Sequence, residues 1–149
     1  MAQGLIKTND SLAAFILRLG LAIVIFPHGA QKVLGWFGGG GFQATLDGMT
    51  TGAGLPAFVV ILVMLIEFLG PLLLLIGLYT RITALCMFGL FVGIILFAHA
   101  GQGFFMNWNG ENPGEGYEYH LLVLAMSLAL VSSGAGRWSV DRKLMRGRA

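Results

Sequence analysis

Charge is scarce in this sequence. Charged residues occupy 11% of its 149 positions, where a soluble domain carries about 25%. Hydrophobic residues make up 56%, and the mean hydropathy is +0.81. A chain this short has too little interior to hide so much apolar surface from water. A lipid bilayer is the solvent that suits it. Cysteine is nearly absent too. The single Cys86 excludes an intramolecular disulfide and any C-x-x-C thiol chemistry; inside an apolar run it reads as a small core residue. No nucleotide motif and no nucleophile–base arrangement is present. No A-x-A-like site follows the first apolar run, and Lys7 is a weak n-region, so the N-terminus does not read as a cleavable leader.

Four runs near 20 apolar residues are present, at about residues 12–34, 55–79, 82–100 and 119–135. The last is the shortest and fades at Ser133. The spacing therefore predicts an all-α fold: one integral membrane domain over 1–149, a bundle of four transmembrane helices. Five of the nine basic residues fall at the C-terminus: Arg137, Arg142, Lys143, Arg146 and Arg148. Beside a hydrophobic segment this cluster reads as a flank meeting anionic headgroups, not as a nucleic-acid patch. With four spans, that tail shares a side with Lys7 and Arg81, and the positive-inside rule places both termini in the cytoplasm. The opposite side holds Lys32 and the acidic Glu111, Glu115 and Glu118.

Two loops face that opposite side. Gly35–Phe42 is glycine-rich and lacks the strand–GxxxxGK–helix context of a phosphate loop; Trp36 reads as an interfacial anchor. Residues 42–49 read as a short amphipathic surface helix. The second loop, 104–117, carries Trp108 as another anchor. Gly89-x-x-x-Gly93 in the third span reads as a close-packing motif that would also permit a homo-oligomer.

Ionisable groups within the spans carry the functional signal, because each costs about 2.5–3.5 kcal/mol on insertion scales. At ~100° per residue, Arg18, His28 and Lys32 share one stripe of the first span, which should face the interior. Arg81 and His99 share a face of the third span at opposite ends. Depth counted at ~1.5 Å per residue places Glu67 near mid-bilayer and suggests an Arg18–Glu67 ion pair. His28, Lys32, His99, Glu118 and His120 all fall toward the outer side, where four helices would bring them to one pocket walled by Phe26, Trp36 and Phe97. Such a pocket suits a quinone headgroup, whose carbonyl oxygens accept hydrogen bonds and whose reduction takes up protons; histidine titrates in the right range. The opposing reading is that these side chains mark a wet interface. Metal ligation is not expected: His99 and His120 lack an HxxxH or HxxE spacing. Haem held by His28 and His99 is the weaker alternative, because bundle histidines more often hydrogen-bond than ligate.

The strings Arg18-Leu19-Gly20 and His28-Gly29-Ala30-Gln31-Lys32 through Gly39 resemble the opening signature of the DoxX family. Glu67-Phe68-Leu69-Gly70-Pro71 through Arg81 is similar to its second-helix signature. Gly116-Tyr117-Glu118-Tyr119 and Gly134-Ala135-Gly136-Arg137-Trp138-Ser139-Val140-Asp141 also fit the family's pattern. The resemblance spans Leu12 to about Arg142. It implies a four-helix protein of the bacterial inner membrane associated with redox systems. One relative is the membrane subunit of a thiosulfate:quinone oxidoreductase, and others are linked to oxidative or thiol stress and to complexes with superoxide dismutase and a sulfurtransferase. It marks Arg18, His28, Lys32, Glu67, Arg81 and Glu118 as signature positions without assigning a chemical step. The expected function is a membrane redox component that binds a quinone or similar lipid-soluble molecule and takes electrons from a partner protein. His28, Lys32 and Glu67 are the catalytic candidates, and Arg18, His28, Lys32, Trp36, Glu67, His99 and Glu118 the ligand-binding ones. The competing expectation is a non-enzymatic scaffold or small-solute carrier whose polar stripe is an ion-paired seam.

Overall fold

The computed structural model describes Gly4 and residues 6–147; Arg148 of the basic tail lies outside the described residues. Helix α1 is Leu12–Leu34, α2 Gly41–Asp47, α3 Ala57–Ile76, α4 Thr80–Ile94, α5 Glu118–Ser133 and α6 Val140–Arg146. The four long helices close a ring: α1 packs on α3, α3 on α4, α4 on α5, and α5 returns to α1. Three helices are long and apolar enough to cross a membrane: α1, α3, and α4 with its continuation to Gln102. Helix α5 has 16 residues. That is about 24 Å of helix against a hydrocarbon core of about 30 Å.

The helix ends follow local chemistry. Ser11 caps α1 by accepting from the Ala14 N–H at 3.1 Å, and Gly35 closes it at φ 73°, the left-handed turn that glycine adopts without strain. Buried positions Ala14, Arg18, Leu21, Ala22, Ile25 and Gly29 recur at three and four residues, so the polar stripe does face inward at Arg18. The opposite face, with Ile16, Ile23 and Val24, is exposed, as lipid contact requires. In α3 the inward set is Val60, Val63, Met64, Glu67, Gly70, Pro71 and Leu74. Leu21, Ile25, Leu74, Met87, Phe91 and Leu130 form the centre of the apolar core.

The register of α1 against α3 is set by a glycine. A β-carbon on Gly29 would fall inside the backbone of Glu67 and Phe68. Pro71 stands four residues beyond Glu67 and has no N–H, so the Glu67 carbonyl lacks its intrahelical donor and the helix can open there. Phe26 stacks on Phe68 at 5.8 Å in the same register.

Two expectations about small residues do not hold. Gly89 and Gly93 meet nothing within 4 Å, so the G-x-x-x-G faces outward from the bundle and packs no helix of this chain. Cys86 is exposed on the same helix, not buried in the core. Both lie on the lipid-facing side of α4, where apolar composition signals membrane contact as readily as core. The amphipathic surface segment forms as α2, followed by a wider π-type turn over Gly48–Gly52.

Candidate functional site

The expected Arg18–Glu67 pair does not form; Glu67 pairs with Lys32. Lys32 Nζ donates to Glu67 Oε2 at 2.5 Å, with side-chain exposures of 26% and 5%. The reason is the Gly29 contact. Lys32 is one turn beyond Gly29 on the same face, so seating Gly29 on Glu67 brings the ammonium to the carboxylate. Depth counted from the span ends assumed that each helix is centred alike. Helices α1 and α3 are instead staggered, and Arg18 lands two turns further along α3, at its C-terminal end.

There Arg18 is fully buried, and every N–H of its guanidinium has an acceptor. Nε donates to the Ala135 carbonyl at 2.9 Å, Nη1 to Leu74 and Leu75 at 2.8 and 2.6 Å, and Nη2 to Arg137 and Trp138 at 3.0 and 2.6 Å. Five donors meet five carbonyls. The Phe15 ring lies 4.9 Å from the guanidinium carbon. Arg18 thereby ties the last turn of α3 to the chain between α5 and α6. Glycines at positive φ make that turn, Gly134 at 77° and Gly136 at 74°.

Asp141 completes this end, and sequence reasoning assigned it no role. It is 1% exposed and accepts from the Tyr79 and Thr80 N–H groups at 2.8 and 2.9 Å. It is the N-terminal cap of α4, supplied from α6. The available signal was a buried-context acid in a short segment after two glycine turns.

Around the Lys32–Glu67 pair the structure gathers aromatic and imidazole groups. Tyr119 stands on the first turn of α5. Its ring sits 5.4 Å from His120 and 6.4 Å from Phe91. His99 and His120 have ring centroids 4.2 Å apart. His99 is aimed by a π-type stretch over Ile95–His99 at the end of α4, a local geometry common at functional sites, and its Nδ1 contacts the Glu115 carbonyl at 2.7 Å. His28 is exposed at the rim. Two buried polar atoms here have no partner among the described residues: the Tyr119 hydroxyl and His120 Nδ1.

The remaining candidates lie elsewhere. Glu118 turns to the preceding loop, accepting from the Met106 N–H at 3.0 Å and Trp108 Nε1 at 3.3 Å. Trp36 is exposed and packs edge-on against Phe37. Phe97 is 80% exposed and walls nothing. A cavity of about 630 Å³ opens beside α5, lined by Phe104, Met106, Trp108, Glu118, Tyr119, Leu121 and Leu122; its size and apolar lining suit a small lipophilic ligand. Among the described residues no three His, Cys, Asp or Glu are grouped to hold a metal ion.

A polar centre inside a ring of apolar helices defines a membrane protein with a buried ionic site. Residues 13–100 match the family model DoxX, more than half of the chain, and the protein belongs to the DoxX family. It is a multi-pass membrane protein. The match includes Arg18, His28, Lys32, Glu67, Arg81 and His99 and ends before α5. No curated protein and no solved structure matches the chain significantly.

Proposed function

We propose that this protein is the membrane component of a redox system and binds a quinone or similar lipid-soluble redox molecule beside the Lys32–Glu67 pair. The carrying observation is the pair of unpartnered buried atoms, the Tyr119 hydroxyl and His120 Nδ1. Buried polar groups are nearly always hydrogen-bonded, so two adjacent orphans in a bundle core fit a ligand that brings acceptors. Quinone carbonyls do so. Tyr119 donates to one carbonyl oxygen, and His120, backed by His99, holds or moves a proton at the other. Lys32 and Glu67 supply charge and proton capacity at the inner wall, and the apolar cavity beside Tyr119 takes the lipophilic part. Reduction of a quinone to its quinol consumes two electrons and two protons. The chain shows no electron-carrying motif of its own, so the electrons come from a partner protein.

In this reading α5 is the fourth span of a single domain over 1–149. Both termini face the cytoplasm of a bacterial inner membrane, as Lys7, Arg81 and the basic tail favour. The site then opens to the outer leaflet. Arg18 itself, with every guanidinium donor satisfied, supports a structural role, although the buried Thr80 hydroxyl at the Asp141 cap has no partner among the described residues.

Lipid extraction of the purified protein tests the proposal. Quinone copurifies with the wild type, and Tyr119→Phe combined with His120→Ala loses it while remaining folded. A quinone-free wild-type protein that moves a solute in liposomes sinks the redox reading and leaves the carrier one.

A further inference from the structure

The end of the bundle where α1 begins and α5 ends holds a second cavity, of about 420 Å³, lined by Lys7, Thr8, Asn9, Arg81, Ser132 and Ser133 together with Gly4. Among the described residues no acidic side chain lines it. Two cations do, and both have donors to spare. Arg81 is clamped by its Nε bond to the Lys7 carbonyl at 2.8 Å and its Nη1 bond to the Val131 carbonyl. This fixes the plane of the guanidinium. Among the described residues its Nη2, the Lys7 ammonium and the Ser132 hydroxyl have no hydrogen-bond partner. The nearby carboxylate is committed elsewhere: Asp10 binds Arg137 at 2.8 Å and Arg142 at 2.5 Å. The Thr8 and Ser133 hydroxyls are also engaged, Thr8 accepting from the Gly136 N–H at 2.7 Å and Ser133 donating to the Ala129 carbonyl at 2.7 Å.

We infer that this cavity is a binding site for a phosphate-type oxyanion, held by Lys7, Arg81 and Ser132. Two cations line one cavity with no acidic side chain among its described lining residues, and a tetrahedral anion can accept charge-assisted hydrogen bonds from both. A fixed guanidinium presents its remaining N–H groups in the planar fork that matches phosphate oxygens. The location fits as well. Arg81 opens the span that begins at Thr80, and Ser132–Ser133 close α5, so the cavity lies where apolar helices end and headgroups begin. The phosphate can belong to an anionic lipid or be free in solution. The site is remote from the Lys32–Glu67 centre and does not depend on the redox reading.

The full chain, purified in neutral detergent at fixed ionic strength, is titrated separately with inorganic phosphate, phosphatidylglycerol and phosphatidylcholine while Tm and native mass are followed. A saturable Tm rise of roughly 5 °C with phosphatidylglycerol, absent with phosphatidylcholine and phosphate, identifies a lipid headgroup. The same rise with inorganic phosphate identifies a free anion. In both cases Lys7→Gln and Ser132→Ala, which leave the Arg81 clamp intact, weaken apparent affinity, Lys7→Gln by about tenfold or more. Arg81→Gln abolishes the response. No rise with either anionic probe, or a rise that Lys7→Gln leaves unchanged, overturns the assignment.

Discussion

Replacing Lys32 with Met tests the ionic centre most directly. The substitution keeps the length of the side chain and removes its charge, leaving the Glu67 carboxylate, 5% exposed, without a counter-ion. Breaking a buried pair from one side costs about 3–5 kcal/mol. Glu67→Leu strands the other partner, but Lys32 is 26% exposed and can turn its ammonium toward water; its cost is smaller, about 1–3 kcal/mol. The double variant Lys32→Met/Glu67→Leu removes both charges at similar volume. It returns to within about 1 kcal/mol of the wild type, so the coupling energy is at least about 3 kcal/mol. Reversible unfolding in mixed micelles measures all four proteins. Equal costs for the two single variants, or a double variant that costs their sum, would refute the asymmetric buried pair. Quinone content of the same samples separates structure from function. A purely structural pair lets the double variant regain everything. A functional one gives a stable protein without ligand.

Three further outcomes follow from the other end of the bundle. Arg18→Lys offers three donors where five carbonyls wait and lacks the planar fork; it lowers unfolding stability by about 3–5 kcal/mol while leaving quinone content per folded molecule unchanged. Asp141→Asn has one acceptor oxygen for the Tyr79 and Thr80 N–H groups, so one buried donor is orphaned at about 1–3 kcal/mol, and hydrogen exchange at the start of α4 accelerates. Asp10 sits at the membrane edge, and its hydrogen bond to Arg142, followed by that to Arg137, holds its carboxyl below its ordinary 3.8. A carboxyl whose pKa falls on folding contributes stability above its unfolded value and loses it as pH drops through the folded one. Stability therefore declines as pH falls below about 3.8, and Asp10→Asn removes that part of the slope in an acid unfolding series.

The helices were legible because apolar runs of membrane length leave few alternatives. Helix α1 spans Leu12–Leu34, as the run indicates. Partnerships were not legible, because they depend on stagger. Nothing in hydropathy places α1 against α3; the clash that a side chain on Gly29 would make with Glu67 does. Two clues were present, the Glu67-x-x-x-Pro71 spacing that frees a carbonyl and the glycine one turn before Lys32. The outward Gly89 and Gly93 show the converse. Glycine spacing permits close approach but does not say to what. Arg18 misled for a different reason. A buried cation points first to a carboxylate, whereas the partners of Arg18 are backbone oxygens, which every residue has and no sequence motif displays. Only the glycines that turn the chain at 134 and 136 hint that carbonyls are presented there.

Burial of a charge in a membrane bundle does not by itself mark function, and these two centres separate what does. Arg18 is the more deeply buried, yet its donors are all satisfied, so nothing about it asks for a ligand. A saturated group of this kind can be exchanged only at the cost of the fold. The Lys32–Glu67 centre is less buried, and its half of the bundle holds two groups left unsatisfied, the Tyr119 hydroxyl and His120 Nδ1. An apolar core tolerates such orphans poorly, and Tyr119 lines the cavity that opens beside α5. The difference predicts opposite responses to charge removal. Neutralising Arg18 destabilises the protein without touching what it binds. Neutralising the unsaturated end in a balanced way leaves the protein folded and empties the site.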